Sequence, residues 1–207
     1  MQTASHRYFA DWLVPRLRKE LPSYALRHFD GALAGDEDAA GSLIVAAPNG
    51  YRDAIPLLMY LRGMGGPAYG AALSRAWYPD NDAVLDTVRH RGRLKAMFRR
   101  GAFILPELPD VVRLWRGTTG LNVRTAERGV SWTLDRNIAC FFASRFGMKL
   151  PGAPLVIAAD VPREMLVFHT DERSEAQVVC FDVKGAWDDG DATWVEDGNT
   201  KETLAAP

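Results

Sequence analysis

The sequence predicts an α+β fold in which a helical first half is followed by a mixed second half. Up to about residue 100, apolar residues recur at three- and four-residue intervals, the spacing of amphipathic helices. After Pro106 and Pro109 the pattern changes to short apolar runs rich in β-branched residues, which is typical of strands. We therefore expect a helical region at residues 1–105, a mixed core at residues 106–190 and an acidic tail at residues 191–207.

The composition is that of an ordinary globular protein. The chain has 207 residues, 47% of them hydrophobic, and a net charge of -1, so its overall charge implies no general attraction to nucleic acid. Cys140 and Cys180 lie in apolar surroundings and predict buried thiols instead of a disulfide or a metal site. No apolar run approaches the ~20 residues of a membrane span, and the N-terminus lacks a secretory core. We expect a cytoplasmic protein with no membrane partner.

The first half contains four helical patterns separated by glycine, proline and polar stretches. They cover Ser5–Leu21, Tyr51–Arg62, Ala68–Trp77 and a long segment that Asp80 or Asn81 caps and that ends near Arg100. Residues 30–49 predict a loop followed by a short strand or the start of a helix. The long segment carries clustered cations at Arg89, Arg91, Arg93 and Lys95. These form either a solvated helix face or a docking patch for an acidic macromolecule.

The first strand pattern of the second half, Val111–Arg116, ends in an arginine. A guanidinium at the end of an apolar strand is costly to bury, and an anion usually keeps it there. Its planar fork suits a phosphate or pyrophosphate. The alternative is that Arg116 pairs with an internal carboxylate. Gly117 and Gly120 then predict a tight turn, and residues 122–127 a short helix.

A second short strand, Gly129–Thr133, places Ser131 and Thr133 on one face because side chains alternate along a strand. Asp135 is expected to cap the helix that follows. That helix should bury an apolar stripe made of Ile138, Ala139, Phe142 and Phe146. Further strands are expected at Leu155–Val161, Met165–Phe168 and Val178–Val183.

Three motifs occur in a suggestive order: WRG ending at Gly117, SWT leading into DRNIACFFA, and RSEAQVV ending at Val179. Together they resemble the ADP-ribosyltransferases of the arginine, Ser-x-Thr, glutamate (R-S-E) class over roughly Leu108–Val183. The resemblance implies a split β-sheet with the helical half packed against it. It also implies NAD as a substrate, whose nicotinamide–ribose bond is cleaved so that ADP-ribose passes to an acceptor such as a protein or a nucleic acid.

The resemblance also assigns residues to the NAD site. Arg116, with Gly117 beside it, would bind the phosphate and ribose side of NAD. Ser131 would support the nicotinamide ribose and the catalytic carboxylate, with Trp132 and Thr133 shaping the same wall. Phe142 would flank the nicotinamide pocket or else pack inside its own helix.

The third motif departs from the family pattern because it reads Glu-x-Gln where the family has a final glutamate. Cleavage builds positive charge on the ribose, which a nearby carboxylate stabilises and a neutral amide does not. We expect Glu175 and Gln177 to share one strand face, with Glu175 as the catalytic carboxylate. The alternatives are an NAD glycohydrolase that uses water as its acceptor, and an inactive relative that binds NAD or a protein partner.

Overall fold

The computed structural model describes residues 4–147 and 151–193. The chain divides into two compact units, Met1–Phe103 and Ile104–Pro207. The first unit is helical throughout its described residues, and the second contains the sheet. The predicted α+β class is thus confirmed. The predicted acidic tail lies mostly outside the described residues.

Seven helices form the described part of the first unit: α1 Ala4–Glu20, α2 Ser23–Ala34, α3 Glu37–Ala46, α4 Ala54–Leu61, α5 Gly66–Trp77, α6 Asn81–Val88 and α7 Arg91–Arg100. Their apolar sides meet in a core that fully buries large side chains such as Phe29, Tyr69, Trp77 and Phe98. Residues 30–49 are mostly helical, so the expected loop is wrong. None of the described helices is both long and apolar enough to cross a membrane.

The long helix expected to end near Arg100 is in fact two helices, α6 and α7. Asp80 caps α6 by accepting a hydrogen bond from the Ala83 amide at 3.0 Å. The chain then leaves helical geometry at Arg89, whose φ is 54°. A new cap follows, since Nδ1 of His90 accepts a hydrogen bond from the Arg93 amide at 3.1 Å. These two caps separate the acidic start of the segment from its basic end.

The second unit follows the order β1 Val111–Thr119, α8 Val123–Ala126, β2 Ser131–Thr133, α9 Arg136–Gly147, β3 Pro154–Pro162, β4 Leu166–Thr170, β5 Gln177–Cys180 and β6 Trp187–Asp188. The strands form one antiparallel sheet in the order β4-β5-β2-β1-β3-β6. This sheet is continuous over the described residues, not split. The short helix expected at residues 122–127 is present as α8.

The sheet has two distinct faces. On the first, which we call the apolar face, Leu114, Trp132, Ile157 and Val178 share one core with Ala126 of α8. On the second, which we call the helix face, α9 packs on the sheet. Since side chains alternate along a strand, the registers place Ser131, Thr133 and Gln177 on the helix face.

Helix α9 begins as the sequence predicted. Oδ1 of Asp135 accepts a hydrogen bond from the Asn137 amide at 2.7 Å, which satisfies an N-terminal donor. The buried side of α9 differs from the expected stripe. It consists of Ile138, Ala139, Cys140 and Ala143, whereas Phe142 is only half-buried. The side chain of Phe146 lies outside the described residues.

Candidate functional site

Ser131 of β2 and Gln177 of β5 form the centre of the candidate site. Gln177 is the first residue of β5 and is only 7% exposed. Its Nε2 donates a hydrogen bond to Oγ of Ser131 at 2.8 Å. Its Oε1 is also buried, and no described residue donates a hydrogen bond to that atom. The site therefore combines a satisfied amide donor with a buried acceptor that the described protein atoms do not use.

Thr133 holds the loop that enters β5. Its Oγ1 donates to the carbonyl oxygen of Glu175 at 2.7 Å and accepts from the Asp135 amide at 3.1 Å. The Leu134 amide adds a bond to the carbonyl oxygen of Ala176 at 3.0 Å. Thr133 is almost fully buried. Its hydroxyl is therefore engaged in fixing the backbone, and its expected place on a ligand wall stays a prediction.

Glu175 lies before β5, not inside it. It follows a short 3-10 helix, Glu172–Ser174, and has φ -91° and ψ -9°. Ala176 then takes a positive φ of 42°. The expectation that Glu175 and Gln177 share one strand face is therefore wrong, because the backbone bends between them. Gln177 opens the strand and contacts Ser131, and Glu175, two residues earlier, is half-buried. The catalytic roles assigned to these residues stay predictions.

Arg116 lies on the opposite face of the sheet from the Ser131 hydroxyl and Gln177. It pairs in register with Ile157 and shares the parity of Leu114, so it belongs to the apolar face. Its Nη1 donates to the backbone carbonyl of Ser131. A Cβ at Gly129 would overlap the Arg116 guanidinium, so the glycine makes room for it.

The structure thus brings Arg116 to the backbone of Ser131 but not to the hydroxyl of that residue. Arg116 is also not at the end of its strand, because β1 continues to Thr119. Both expected partners, an anion and an internal carboxylate, stay predictions.

The remaining predicted residues have other surroundings. Trp132 is buried in the apolar face, and its Nε1 donates to the carbonyl oxygen of Gly129 at 3.2 Å. Gly117 lies inside β1 and not in a turn. A side chain there would overlap the backbone of Ala139 in α9, so Gly117 permits the close approach of the helix. The half-buried ring of Phe142 meets that of Phe141 edge-on, at 5.6 Å between centroids.

Trp115 is a candidate that the sequence analysis missed. It pairs with Thr133, which in turn pairs with Gln177, so the three residues form one row across β1, β2 and β5 on the helix face. The Nε1 of Trp115 is buried, and no described residue accepts its hydrogen. The sequence did contain a signal for Trp115. Side chains alternate along a strand, so Trp115 points to the opposite face from its neighbour Arg116, and that is the face that α9 covers.

The row therefore presents a buried donor, Nε1 of Trp115, and a buried acceptor, Oε1 of Gln177. Most buried polar groups in folded proteins are hydrogen-bonded, and leaving one unmade costs about 1–3 kcal/mol. A bound water or a neutral polar ligand can supply the partners that such atoms lack. Neither an indole nor an amide carries charge at neutral pH, so the chemistry of this row matches hydroxyl and amide groups but does not oppose a cation.

Burial shifts the pKa of two ionisable groups near the sheet in the direction that favours their neutral forms. Burial lowers the pKa of His169, which pairs with Val178 on the apolar face. Burial likewise raises the pKa of the Cys140 thiol, although Nη1 of Arg136 lies 3.4 Å from its sulfur. A thiol with a raised pKa is a poor nucleophile. Among the described residues, no group of three or more His, Cys, Asp or Glu side chains is arranged to hold a metal ion.

Arg136, at the start of α9, fastens the chain that follows β6. Its Nε donates to Oδ2 of Asp189 at 2.6 Å, and its Nη2 donates to the carbonyl oxygen of Asp191 at 2.8 Å. The Asp189 carboxylate raises the pKa of the Arg136 guanidinium through this hydrogen bond. The contact ties the first turn of α9 to the sheet edge.

Comparison with known proteins leaves the family open. No family model, no curated protein and no solved structure matches the chain. The likeness to ADP-ribosyltransferases accordingly depends on the three motifs alone.

Proposed function

We propose that the second unit binds an NAD-type dinucleotide, with a ribose at the pair formed by Ser131 and Gln177. The observation that carries this proposal is the buried Oε1 of Gln177, to which no described residue donates. A ribose hydroxyl donates to such an oxygen and accepts from a neighbouring hydroxyl at the same time. The order of the three sequence motifs is the reason for choosing a dinucleotide as the ligand. The hydrogen-bonded pair of Ser131 and Gln177 is the reason for proposing that its ribose binds there.

In this proposal the chain holds the dinucleotide but cleaves it poorly. Cleavage of the nicotinamide–ribose bond needs negative charge near the ribose, as glycoside cleavage does. The side chain that donates to the Ser131 hydroxyl is an amide, that of Gln177. An amide orients a hydroxyl without stabilising the positive charge of the transition state. Binding with little turnover is the expected result.

ADP-ribosyl transfer with Glu175 as the carboxylate is the second candidate. It is favoured by the hydrogen bond from Thr133 Oγ1 to the Glu175 carbonyl, which fixes that residue two positions before Gln177. Its half-buried side chain would need to reach the ribose from outside the strand. The acceptor would be a protein or a nucleic acid, and water in its place would make the protein an NAD glycohydrolase.

One set of measurements separates these candidates. NAD affinity is measured by calorimetry, and nicotinamide release is measured with and without cell lysate. The wild-type protein is compared with Gln177→Glu, Glu175→Gln and Glu164→Gln, the last an exposed control in the same unit.

The binding proposal expects NAD affinity with little release, and a gain in release of about 10²-fold or more in Gln177→Glu, the magnitude typical of a charge-stabilising group. Rapid wild-type release that is lost only in Glu175→Gln would establish the second candidate. If that release requires lysate, it indicates a transferase, and otherwise a glycohydrolase. Absence of NAD binding in every variant would refute both candidates.

A further inference from the structure

Helix α7 carries the strongest local charge in the first unit. Between Asp86 and Glu107 the chain has six Lys or Arg residues and no Asp or Glu. The large apolar residues of α7, namely Leu94, Met97 and Phe98, are buried. Five of the six cations lie on α7, where Arg91 and Arg99 are exposed and Arg100 donates to the carbonyl oxygen of Tyr60 at 3.2 Å. This concentration stands out in a chain whose net charge is only -1.

The cations oppose the stability of their own helix. Arg91 and Arg93 lie in the first turn, which contains no acidic residue. The N-terminus of a helix carries a partial positive charge, so cations there are unfavourable. Arg91 and Lys95 are also four residues apart, as are Lys95 and Arg99, and like charges at this spacing cost about 0.2–0.5 kcal/mol per pair. Charge interactions within α7 therefore do not account for the pattern.

Three of the cations form a straight stripe. Arg91, Lys95 and Arg99 follow each other at four-residue spacing, which places them about 6 Å apart along one side of the helix. Arg91 and Arg99 are exposed and Lys95 is half-buried. A row of cations of this length, about 12 Å, spans roughly seven phosphate charges of a duplex at one charge per 1.7 Å of its axis.

The surface lacks the features that other partners need. Protein interfaces centre on buried aromatic or aliphatic anchors, whereas all the large apolar residues of α7 are already inside the core. Single-stranded nucleic acids bind through stacking on aromatic side chains, but the aromatic residue of α7, Phe98, is buried in the core. A duplex phosphate backbone needs only cations, and guanidinium groups bind phosphate well.

We propose that helix α7 binds the phosphate backbone of duplex nucleic acid through the stripe of Arg91, Lys95 and Arg99. The binding is independent of base sequence, since it uses charge alone. This inference does not depend on NAD binding by the second unit.

The test is a salt titration with the full chain. Fluorescence anisotropy measures binding to a labelled DNA duplex and to an RNA duplex of the same sequence. Three phosphate contacts predict a slope of about -2.7 for log affinity against log salt, which is about a 40-fold loss between 50 and 200 mM. The triple variant R91Q/K95Q/R99Q should lose most of this slope. Glutamine is a good helix former, so α7 should persist, as circular dichroism will show.

The matched control is R27Q/R62Q/R124Q, which removes the same total charge from exposed arginines outside α7. The control should keep the wild-type slope. Equal slopes for the two triple variants would overturn the proposal, because the effect would then be general charge. So would absence of binding to both duplexes at 50 mM salt, or tighter binding to single strands than to duplexes. Binding to only one of the duplexes would identify that nucleic acid as the ligand.

Discussion

Replacing Gln177 by methionine tests whether this residue is kept for its chemistry or for the fold. Methionine has a similar length but no hydrogen-bonding groups, and Gln177 is 7% exposed. If the amide were an ordinary part of the core network, its loss should destabilise the second unit. If instead its Oε1 is a buried acceptor without a protein donor, as the structure has it, the loss should stabilise the unit.

The magnitude follows from two opposing contributions. The variant loses the hydrogen bond from Nε2 to Ser131 Oγ, which contributes about 0.5–1.5 kcal/mol. It also removes the buried acceptor Oε1, whose missing hydrogen bond costs the wild type about 1–3 kcal/mol. We therefore expect Gln177→Met to raise the free energy of unfolding by about 1 kcal/mol. The same variant should lose NAD affinity.

The assay is native-state hydrogen exchange, followed by mass spectrometry on peptides from β2 and β5. A gain of about 1 kcal/mol slows exchange there about fivefold. Thr133→Val is the control at the neighbouring position, because its hydroxyl is satisfied at both ends. That variant should destabilise the unit by about 2 kcal/mol. Destabilisation by Gln177→Met of 1 kcal/mol or more would refute the reasoning.

Three further predictions concern the second unit. Gly117→Ala should destabilise it by about 3 kcal/mol in chemical denaturation, because the new methyl group overlaps the Ala139 backbone; a loss below 1 kcal/mol would show that α9 shifts freely. Arg136→Gln should speed amide exchange in residues 187–193 by releasing Asp189, and unchanged exchange there would show that the bond from Arg136 to Asp189 does not hold this segment. The free energy of unfolding should fall as the pH drops below 6.5, since burial lowers the pKa of His169 in the folded state and the unfolded chain then binds more protons. The variant His169→Gln should show a weaker dependence of this free energy on pH. An equally steep dependence in the variant would assign the effect to another group.

The features that the sequence predicted correctly are those set by neighbouring residues. Asp135 was identified as a cap, and Asp80 was one of two residues proposed for the other cap, because a short acidic side chain reaches an amide two or three residues ahead. The strand at β1 was found from its β-branched run, although it extends three residues beyond the prediction. Strand parity would also have placed Arg116 on the face of Leu114.

Other features depend on contacts between distant parts of the chain. The start of β5 is set by the bond from Thr133 to the Glu175 carbonyl, across 42 residues of sequence. No local preference of Glu, Ala or Gln signals the bend at Ala176. The break at Arg89 is similar, because it requires a positive φ in a residue that rarely adopts one. The unused polar atoms of Trp115 and Gln177 are visible only once burial is known.

The shortness of β2 has a mechanical consequence. Strand β2, which lies between the β5-β4 part of the sheet and the β1-β3-β6 part, has only three residues, Ser131–Thr133. These residues are also the ones that contact Gln177 and fix the Glu175 backbone. The candidate site therefore lies where the two parts of the sheet join. A ligand that bridges Ser131 and Gln177 would hold β2 and β5 together. Substitutions at Ser131 or Gln177 that alter ligand binding should therefore also alter how cooperatively the two parts of the sheet unfold.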